Sequence, residues 1–201
     1  MLHLASRSPR RAELLGRLGL DFGIIDLDLP ERQGEGEAAP DYVRRVAREK
    51  SGAGLLQVVA VPGALVLGAD TEVVVDGAVF GKPVDAMDAA AMLRKLSGRT
   101  HEVITAVSVV SAGCEVQAVS TSRVTFAAMD DADIDVYLAT GEWAGKAGAY
   151  AIQGCAQAYI EHLSGSYSGV MGLPLFETAQ LLRQFGLLKP APAPESAPSH
   201  E

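Results

Sequence analysis

The chain has 201 residues, of which 48% are hydrophobic and 21% charged, and its formal net charge is −8 at pH 7. This length suffices for one compact domain with a substantial core, or for two closely joined lobes. The acidic balance argues against non-specific binding to nucleic acid polymers or anionic membranes, although a polyanion can still bind in a pocket with inward-facing basic groups or metal ions.

Two strands and two helices are predicted in the first 60 residues. A short apolar strand runs directly into SRSPRR, where Ser8 suits a helix N-cap and Pro9 the first helical turn. An acidic segment rich in turn formers separates the second strand from the second helix, and we expect an exposed, mobile loop there. The predicted elements are a strand at 2–5, a helix from 9, a strand at 22–25, the loop at 26–40 and a helix at 41–56.

Two antiparallel hairpins are predicted in the rest of the chain. Asp76-Gly77 between two β-branched runs is a strong two-residue hairpin signal, and Ala112-Gly113 separates a second pair of runs. The predicted elements are a buried strand at 64–67, the hairpin around 76–77, a helix at 86–96, strands at 102–112 and 115–126, a helix at 130–139, a strand at 156–163 and a helix at 175–185. This order predicts an α/β fold with mixed α+β character, in which helices flank a mixed sheet.

The chain end reads KPAPAPESAPSHE from Lys189 onward and has no hydrophobic face. We therefore expect a single domain over residues 1–188 and a disordered Pro/Ala-rich tail over 189–201.

The compartment is predicted from three absences. No uninterrupted apolar run reaches the roughly 18 residues of a membrane span, and the first residues lack the apolar core of a secretory signal. Cys114 and Cys155 form no CxxC motif or disulfide framework, so we expect reduced, partly buried thiols. A cytoplasmic protein fits these observations.

Four segments place charged or flexible residues beside buried elements. SRSPRR offers the amides and positive end of a helix to an anion. Asp70 follows an apolar run and is expected where a buried strand ends, a usual ligand position in α/β proteins. Lys82 follows the first hairpin, and Gln153 lies in KAGAYAIQG, whose glycines permit close approach of a ligand. Purely structural roles remain open for two of these residues: Asp70 as a turn aspartate that caps the backbone, and Lys82 as a solvated lysine.

Several other chemistries are excluded or disfavoured by the residues. There is no GxxxxGK[ST] motif, and GSYSG has Tyr167 where a nucleophile elbow needs serine. The four histidines do not cluster at metal-ligand spacing, so a hard cation on carboxylates is a more plausible metal than zinc on histidines.

Six motifs in order carry a resemblance to a known family. They are LASRSPRRAELL, YVRRVAREK, LGADTEVVVDG, GKPVDAMDAAAMLRKLSGRTHEVITAV, KAGAYAIQG and GSYSGVMGLPLFET. Together they resemble the Maf family of nucleotide pyrophosphatases over roughly residues 2–187. The resemblance implies a Maf/ITPase-like fold of two lobes with a cleft between them. It also implies a homodimer that hydrolyses a nucleoside triphosphate to the monophosphate and pyrophosphate with Mg²⁺ or Mn²⁺.

The resemblance also implies roles for individual residues. Asp70 resembles the catalytic proton acceptor and a metal contact, and Glu31 an acidic residue that helps to hold the metal or to orient water. Lys50 and Lys82 match lysines that neutralise the triphosphate, and Ser6 and Arg11 match phosphate contacts. The positions associated with base preference are Arg11, Thr71 and Gln153.

The base preference implied by these positions is for dTTP and UTP, because Thr71 and KAGAYAIQG are similar to that branch and differ from the 7-methyl-GTP branch. Gly169 stands where relatives commonly carry Asn or Ala. Two rival hypotheses remain open: a regulatory protein of septum formation that acts by binding a partner, and an enzyme for modified nucleotides.

Overall fold

The computed structural model describes residues 1–189, so the tail predicted over 189–201 lies, apart from its first residue, outside the described residues. One seven-stranded sheet runs through the molecule in the order β2-β1-β3-β5-β6-β7, with β4 paired to β3. The strands are β1 (Leu2–Ala5), β2 (Phe22–Ile25), β3 (Leu65–Val75), β4 (Ala78–Phe80), β5 (Thr100–Val110), β6 (Glu115–Phe126) and β7 (Ile160–Ser164). β1 pairs in parallel with β2 and β3, and every other pairing is antiparallel, which confirms the predicted mixed sheet.

Six α-helices flank this sheet: α1 (Pro9–Gly16), α2 (Ala39–Gln57), α3 (Ala86–Leu96), α4 (Asp131–Ala139), α5 (Tyr167–Met171) and α6 (Leu175–Gln184). The predicted start of α1 is confirmed, since the Ser8 hydroxyl accepts from the Arg11 backbone amide and Pro9 occupies the first turn. No helix in the described part of the chain is long and apolar enough to cross a membrane.

Two smaller predictions are wrong. The strand predicted from residue 156 begins only at Ile160, because β6 ends at Phe126, which pairs with Ile160; a 3-10 helix at Cys155–Tyr159 precedes it. Both cysteines are exposed, since Cys114 lies in the turn of the β5–β6 hairpin and Cys155 begins that 3-10 helix.

β3 is longer than predicted, and this corrects the expected position of Asp70. The strand continues from Leu65 to Val75 because β5 pairs with it from Val66 to Val74, so Asp70 lies in its middle. On the other edge, β1 pairs only as far as Leu67 and β4 only from Val73. Among the described residues, no strand pairs with residues 68–72 on that edge, and the sheet is open there.

Helix α2 packs very closely against β3 at Gly68. A Cβ added to this glycine would lie 2.4 Å from the carbonyl oxygen of Ala47 and 2.6 Å from the amide nitrogen of Ser51, both on α2. The absence of a side chain therefore sets the distance between helix and sheet, and with it the position of Lys50, which lies in the same turn of α2.

We expect Gly68→Ala to lower the free energy of unfolding by about 1–3 kcal/mol, the usual effect of overpacking. The added methyl group meets backbone atoms, which cannot rotate away. Gly52→Ala is the matched control, because it lies in the same helix with nothing within 4 Å of the added Cβ and should stabilise by roughly 0.5–1 kcal/mol. Urea unfolding of both variants measures the difference; equal stability would contradict this account of the contact.

Candidate functional site

A cleft of about 740 Å³ lies at the open stretch of β3, next to the ends of β1 and β2. Loops, helix ends and the middle of β3 all contribute to its wall. Every predicted site residue lines it: Ser6, Arg11, Glu31, Lys50, Asp70, Thr71, Lys82 and Gln153. Residues separated by as much as 147 positions in the sequence therefore meet in one site.

The two faces of β3 present different chemistry to this cleft. Side chains alternate along a strand, so Asp70 and Glu72 share the face that packs on α2, while Thr71 and Val73 share the opposite face. Because no strand within residues 1–189 pairs with this stretch on the edge opposite β5, both sets line the same cleft. The cleft consequently has an ionic side and a side lined by hydroxyl and apolar groups.

Lys50 organises the ionic side. Its Nζ lies 2.8 Å from Asp70 Oδ1 and 2.7 Å from Glu31 Oε1, and it is only 8% exposed. Lys82 contacts the other oxygen of Glu31 at 3.2 Å, but its side chain is 60% exposed. Burial alone would raise the pKa of Glu31, yet the hydrogen bond and charge of Lys50, together with Lys82, lower it overall. Lys50 is thus held between two carboxylates, whereas Lys82 contacts Glu31 alone and is largely open to solvent.

Glu72 belongs to the ionic side but was not among the predicted site residues. It is 6% exposed, and burial, together with the charges of Asp70 and Glu31, raises its pKa to about 8. Its carboxyl group therefore keeps its proton to a higher pH than an exposed glutamate does. The two-residue period of a strand was the signal available in the sequence, because it places position 72 on the same face as Asp70.

Two carboxyl oxygens of the ionic side are available as ligands for a divalent cation. Asp70 Oδ2 and Glu72 Oε2 are buried without a hydrogen-bond partner, and carboxylate oxygens are the ligands that Mg²⁺ prefers. No group of three His, Cys, Asp or Glu side chains within residues 1–189 is arranged to hold an ion by itself. The donor set suits a cation that binds one or two carboxylates and takes its other ligands from substrate phosphates and water.

Arginine groups and a helix end lie on the approach to the cleft. Arg11 donates from Nε to the carbonyl oxygen of Gly172 at 2.8 Å and from Nη2 to Thr71 Oγ1 at 3.1 Å. Arg10 and Lys146 line the same cleft; burial and the nearby Arg10 lower the pKa of Lys146. These groups provide positive charge locally in a protein whose net charge is −8.

An apolar wall adjoins the Thr71 hydroxyl on the same side of the cleft. Val73 and Val103 pair across β3 and β5, and Tyr150 and Ile152 complete the lining. The Tyr150 hydroxyl is 2.8 Å from His101 Nε2 in the core, and burial lowers the pKa of His101 to about 4. A neutral His101 therefore fixes the tyrosine ring from behind, and Gln153 lies at the edge of this wall.

The fold is α/β, and its cleft places charged groups of both signs beside an apolar surface. The family model described as "Maf-like protein" matches residues 1–185. The chain therefore belongs to the Maf-like protein family, which confirms the resemblance identified from its motifs.

Named relatives match over nearly the whole chain. The chain is 61% identical over 188 residues to the dTTP/UTP pyrophosphatase of Xanthomonas euvesicatoria pv. vesicatoria (strain 85-10), a match that covers 92% of this chain and 99% of that protein. It is 56% identical over 186 residues to the nucleoside triphosphate pyrophosphatase of Xylella fastidiosa (strain 9a5c), which covers 92% of this chain and 98% of that protein. Among solved structures, the Staphylococcus aureus Ham1 protein matches with a TM-score of 0.45 and 14% identity over 62% of this chain and 71% of that chain.

Proposed function

We propose that the protein hydrolyses dTTP and UTP to the nucleoside monophosphate and pyrophosphate. The observation that carries this proposal is a buried carboxylate in the wall of a cleft large enough for a nucleotide: Asp70 is held at one oxygen by Lys50, and its other oxygen has no hydrogen-bond partner. The names of relatives at 56–61% identity support the substrate class.

The two sides of the cleft suit the two parts of a nucleoside triphosphate. Lys82, Arg10 and Lys146, together with the N-terminal end of α1, offer positive charge to the phosphates. The wall formed by Val73, Val103 and neighbouring side chains offers an apolar surface to the base. An acidic protein can in this way bind a polyanion without a basic outer surface.

In the proposed reaction, water attacks the α-phosphorus. A new oxygen–phosphorus bond forms, the bond from this phosphorus to the bridging oxygen breaks, and pyrophosphate leaves with the electron pair. Asp70 accepts the proton of the water at Oδ2, because Lys50 occupies Oδ1. Lys82 is free to turn from Glu31 toward the leaving pyrophosphate, while Lys50 keeps Asp70 and Glu31 in position.

We also propose that the reaction needs a divalent cation as cofactor. Asp70 would hold Mg²⁺ or Mn²⁺, with help from Glu31 and from the unpartnered oxygen of Glu72. The bound ion would withdraw charge from the phosphate oxygens and so favour attack by water.

The test is pyrophosphate release from dTTP, UTP, CTP, GTP, dATP and 7-methyl-GTP, each with Mg²⁺, Mn²⁺ or a chelator. We expect the fastest release from dTTP and UTP, and loss of activity in the chelator. Reaction in heavy-oxygen water should place the label in the monophosphate, whereas attack at the β-phosphorus would place it in pyrophosphate. Folded protein that releases nothing from any nucleotide would overturn the enzyme proposal in favour of a partner-binding role, and full activity in the chelator would remove the metal from it.

A further inference from the structure

Gln153 lies in a four-residue turn whose two ends are held by side chains from outside the cleft. The turn spans residues 151–154 and is closed by a 3.0 Å hydrogen bond between its own first and last residues. The backbone amide of its first residue donates to the Tyr137 hydroxyl at 3.1 Å. The amide of Cys155, directly after the turn, donates to Glu142 Oε2 at 2.8 Å. The turn is therefore fixed both within itself and against the rest of the protein.

Both anchoring side chains come from one support, helix α4 and the turn after it. Tyr137 lies in α4 and is 1% exposed, so its hydroxyl is enclosed by the core. Glu142 follows the helix, and its own amide donates to the Thr140 hydroxyl at 3.1 Å. The two anchoring hydrogen bonds consequently set the position of the Gln153 turn relative to a single element.

Gly154 allows the Glu142 carboxylate to approach the backbone closely. A Cβ added to Gly154 would lie 2.0 Å from Oε2 and 2.7 Å from Oε1 of Glu142. The φ of Gly154 is −107°, which any residue adopts, so the missing side chain serves this approach and not the backbone conformation. A hydrogen bond from an amide to a carboxylate is charge-assisted and stronger than one between neutral groups. One added methyl group would therefore displace the stronger of the two anchors.

The position of this turn determines where the Gln153 amide can reach. Gln153 lines the cleft, whereas Tyr137, Glu142 and Gly154 lie outside the cleft lining. A carboxamide offers one acceptor oxygen and two donor hydrogens. Uracil and thymine present a ring N–H between two carbonyl groups, whereas cytosine has a lone pair at that nitrogen and an amino group in place of one carbonyl. To pair with one pattern and not the other, the amide must be held in place.

We propose that Glu142 and Tyr137 are positioning residues that hold the Gln153 amide against the base and so maintain the preference for a uracil-type base over cytosine. Both act through the backbone of the turn and not by touching the ligand. A fixed amide leaves polar groups unpaired against the wrong base, which is then rejected, whereas a turn free to shift pairs with either base. This inference rests on the proposed nucleotide substrate and adds how the base is selected.

Three variants test the Glu142 anchor. Glu142→Ala removes the acceptor for the Cys155 amide, and we expect the ratio of kcat/KM for UTP over CTP to fall about tenfold, roughly the effect of one hydrogen bond to a charged group. Glu142→Gln keeps an acceptor oxygen and should retain most of the wild-type ratio. Gly154→Ala should lower the ratio as Glu142→Ala does. Because both changes break one contact, their effects should not add in the double variant.

Tyr137→Phe tests the second anchor, and we expect a smaller fall in the UTP/CTP ratio, about threefold, because this hydrogen bond is between neutral groups. Tyr159→Phe is the matched control. The Tyr159 hydroxyl donates to the carbonyl oxygen of Asp133 in α4 at 3.5 Å, so this change removes a tyrosine hydroxyl that contacts the same helix and leaves the turn alone. Its UTP/CTP ratio should equal that of the wild type. An equal loss of activity toward both nucleotides in Tyr137→Phe and Glu142→Ala would contradict the inference.

Two further measurements separate failure of this inference from failure of the proposed reaction. Gln153→Ala removes the amide itself, so an unchanged UTP/CTP ratio in that variant would overturn the inference. Calorimetry with UTP and CTP analogues that carry a methylene group between the first two phosphorus atoms reads the base preference without turnover. Wild-type protein that hydrolyses nothing, yet binds with a preference that Glu142→Ala loses, would refute the reaction and support the positioning role. Folded Glu142→Ala and Gly154→Ala proteins with the wild-type ratio would refute the positioning role.

Discussion

Asp70→Asn should lower the rate of pyrophosphate release from dTTP and UTP by about 10²–10⁴-fold, the contribution typical of a general base. Asparagine has nearly the same shape as aspartate but cannot accept the proton of the attacking water. Its amide oxygen can still accept from the Lys50 ammonium, which lies 2.8 Å from Asp70 Oδ1, so the fold should persist. Steady-state rates and thermal unfolding are to be measured together.

Asp76→Asn is the matched control for this substitution. Asp76 forms an exposed ion pair with Arg99 and has a backbone φ of 51°, a conformation that asparagine tolerates well. It lies in the β3–β4 turn, outside the cleft lining, so activity should stay at the wild-type rate. An Asp70→Asn protein as active as this control would remove Asp70 from the proton-accepting role.

Lys50→Met should lower the free energy of unfolding by about 3–5 kcal/mol, the cost of leaving buried charges without their partner. Lys50 is buried between Asp70 and Glu31 at 2.8 and 2.7 Å, and methionine replaces its ammonium group by an apolar thioether. Activity should fall as well, because Asp70 loses the group that orients it. Urea unfolding gives the stability change.

Lys82→Met is the comparison that separates stability from catalysis. The Lys82 side chain is 60% exposed and touches Glu31 at 3.2 Å, so its loss should change stability by less than about 1 kcal/mol. Pyrophosphate release should still fall, because a cation near the leaving group is lost. Equal destabilisation by the two substitutions would show that Lys50 does not have the buried pairing role described here.

Most residues of the site could be predicted from the sequence, because they lie in short sequence motifs. Ser6 and Gln153 are distant in sequence and were brought together only by the family resemblance. The position of Asp70 within β3 was mispredicted, because an apolar run gives no information on how far the partner strand extends. The pairing of Lys50 with Asp70 depends on the close approach of α2 to Gly68, which no local pattern encodes.

The contact between Thr71 and Thr105, whose Oγ1 atoms are 3.0 Å apart, shows the same limit more clearly. It exists only through the register of β3 against β5, and hairpin lengths alone do not determine how two strands that are not consecutive in sequence pair. The mixed sheet, by contrast, was predicted from the sequence, because two hairpin signals occur in a chain whose other strands alternate with helices. The homodimer and the cytoplasmic location stay predictions.

The open stretch of β3 makes the chain unusually sensitive to changes in length. Asp70 and Thr71 are adjacent, yet they serve opposite sides of the cleft because successive side chains point to opposite faces of a strand. Deleting or inserting one residue just before them would turn the carboxylate toward the apolar wall and the hydroxyl toward α2. A substitution along this segment therefore leaves every other side chain on its own side of the cleft, whereas a change in the number of residues exchanges the two sides at once.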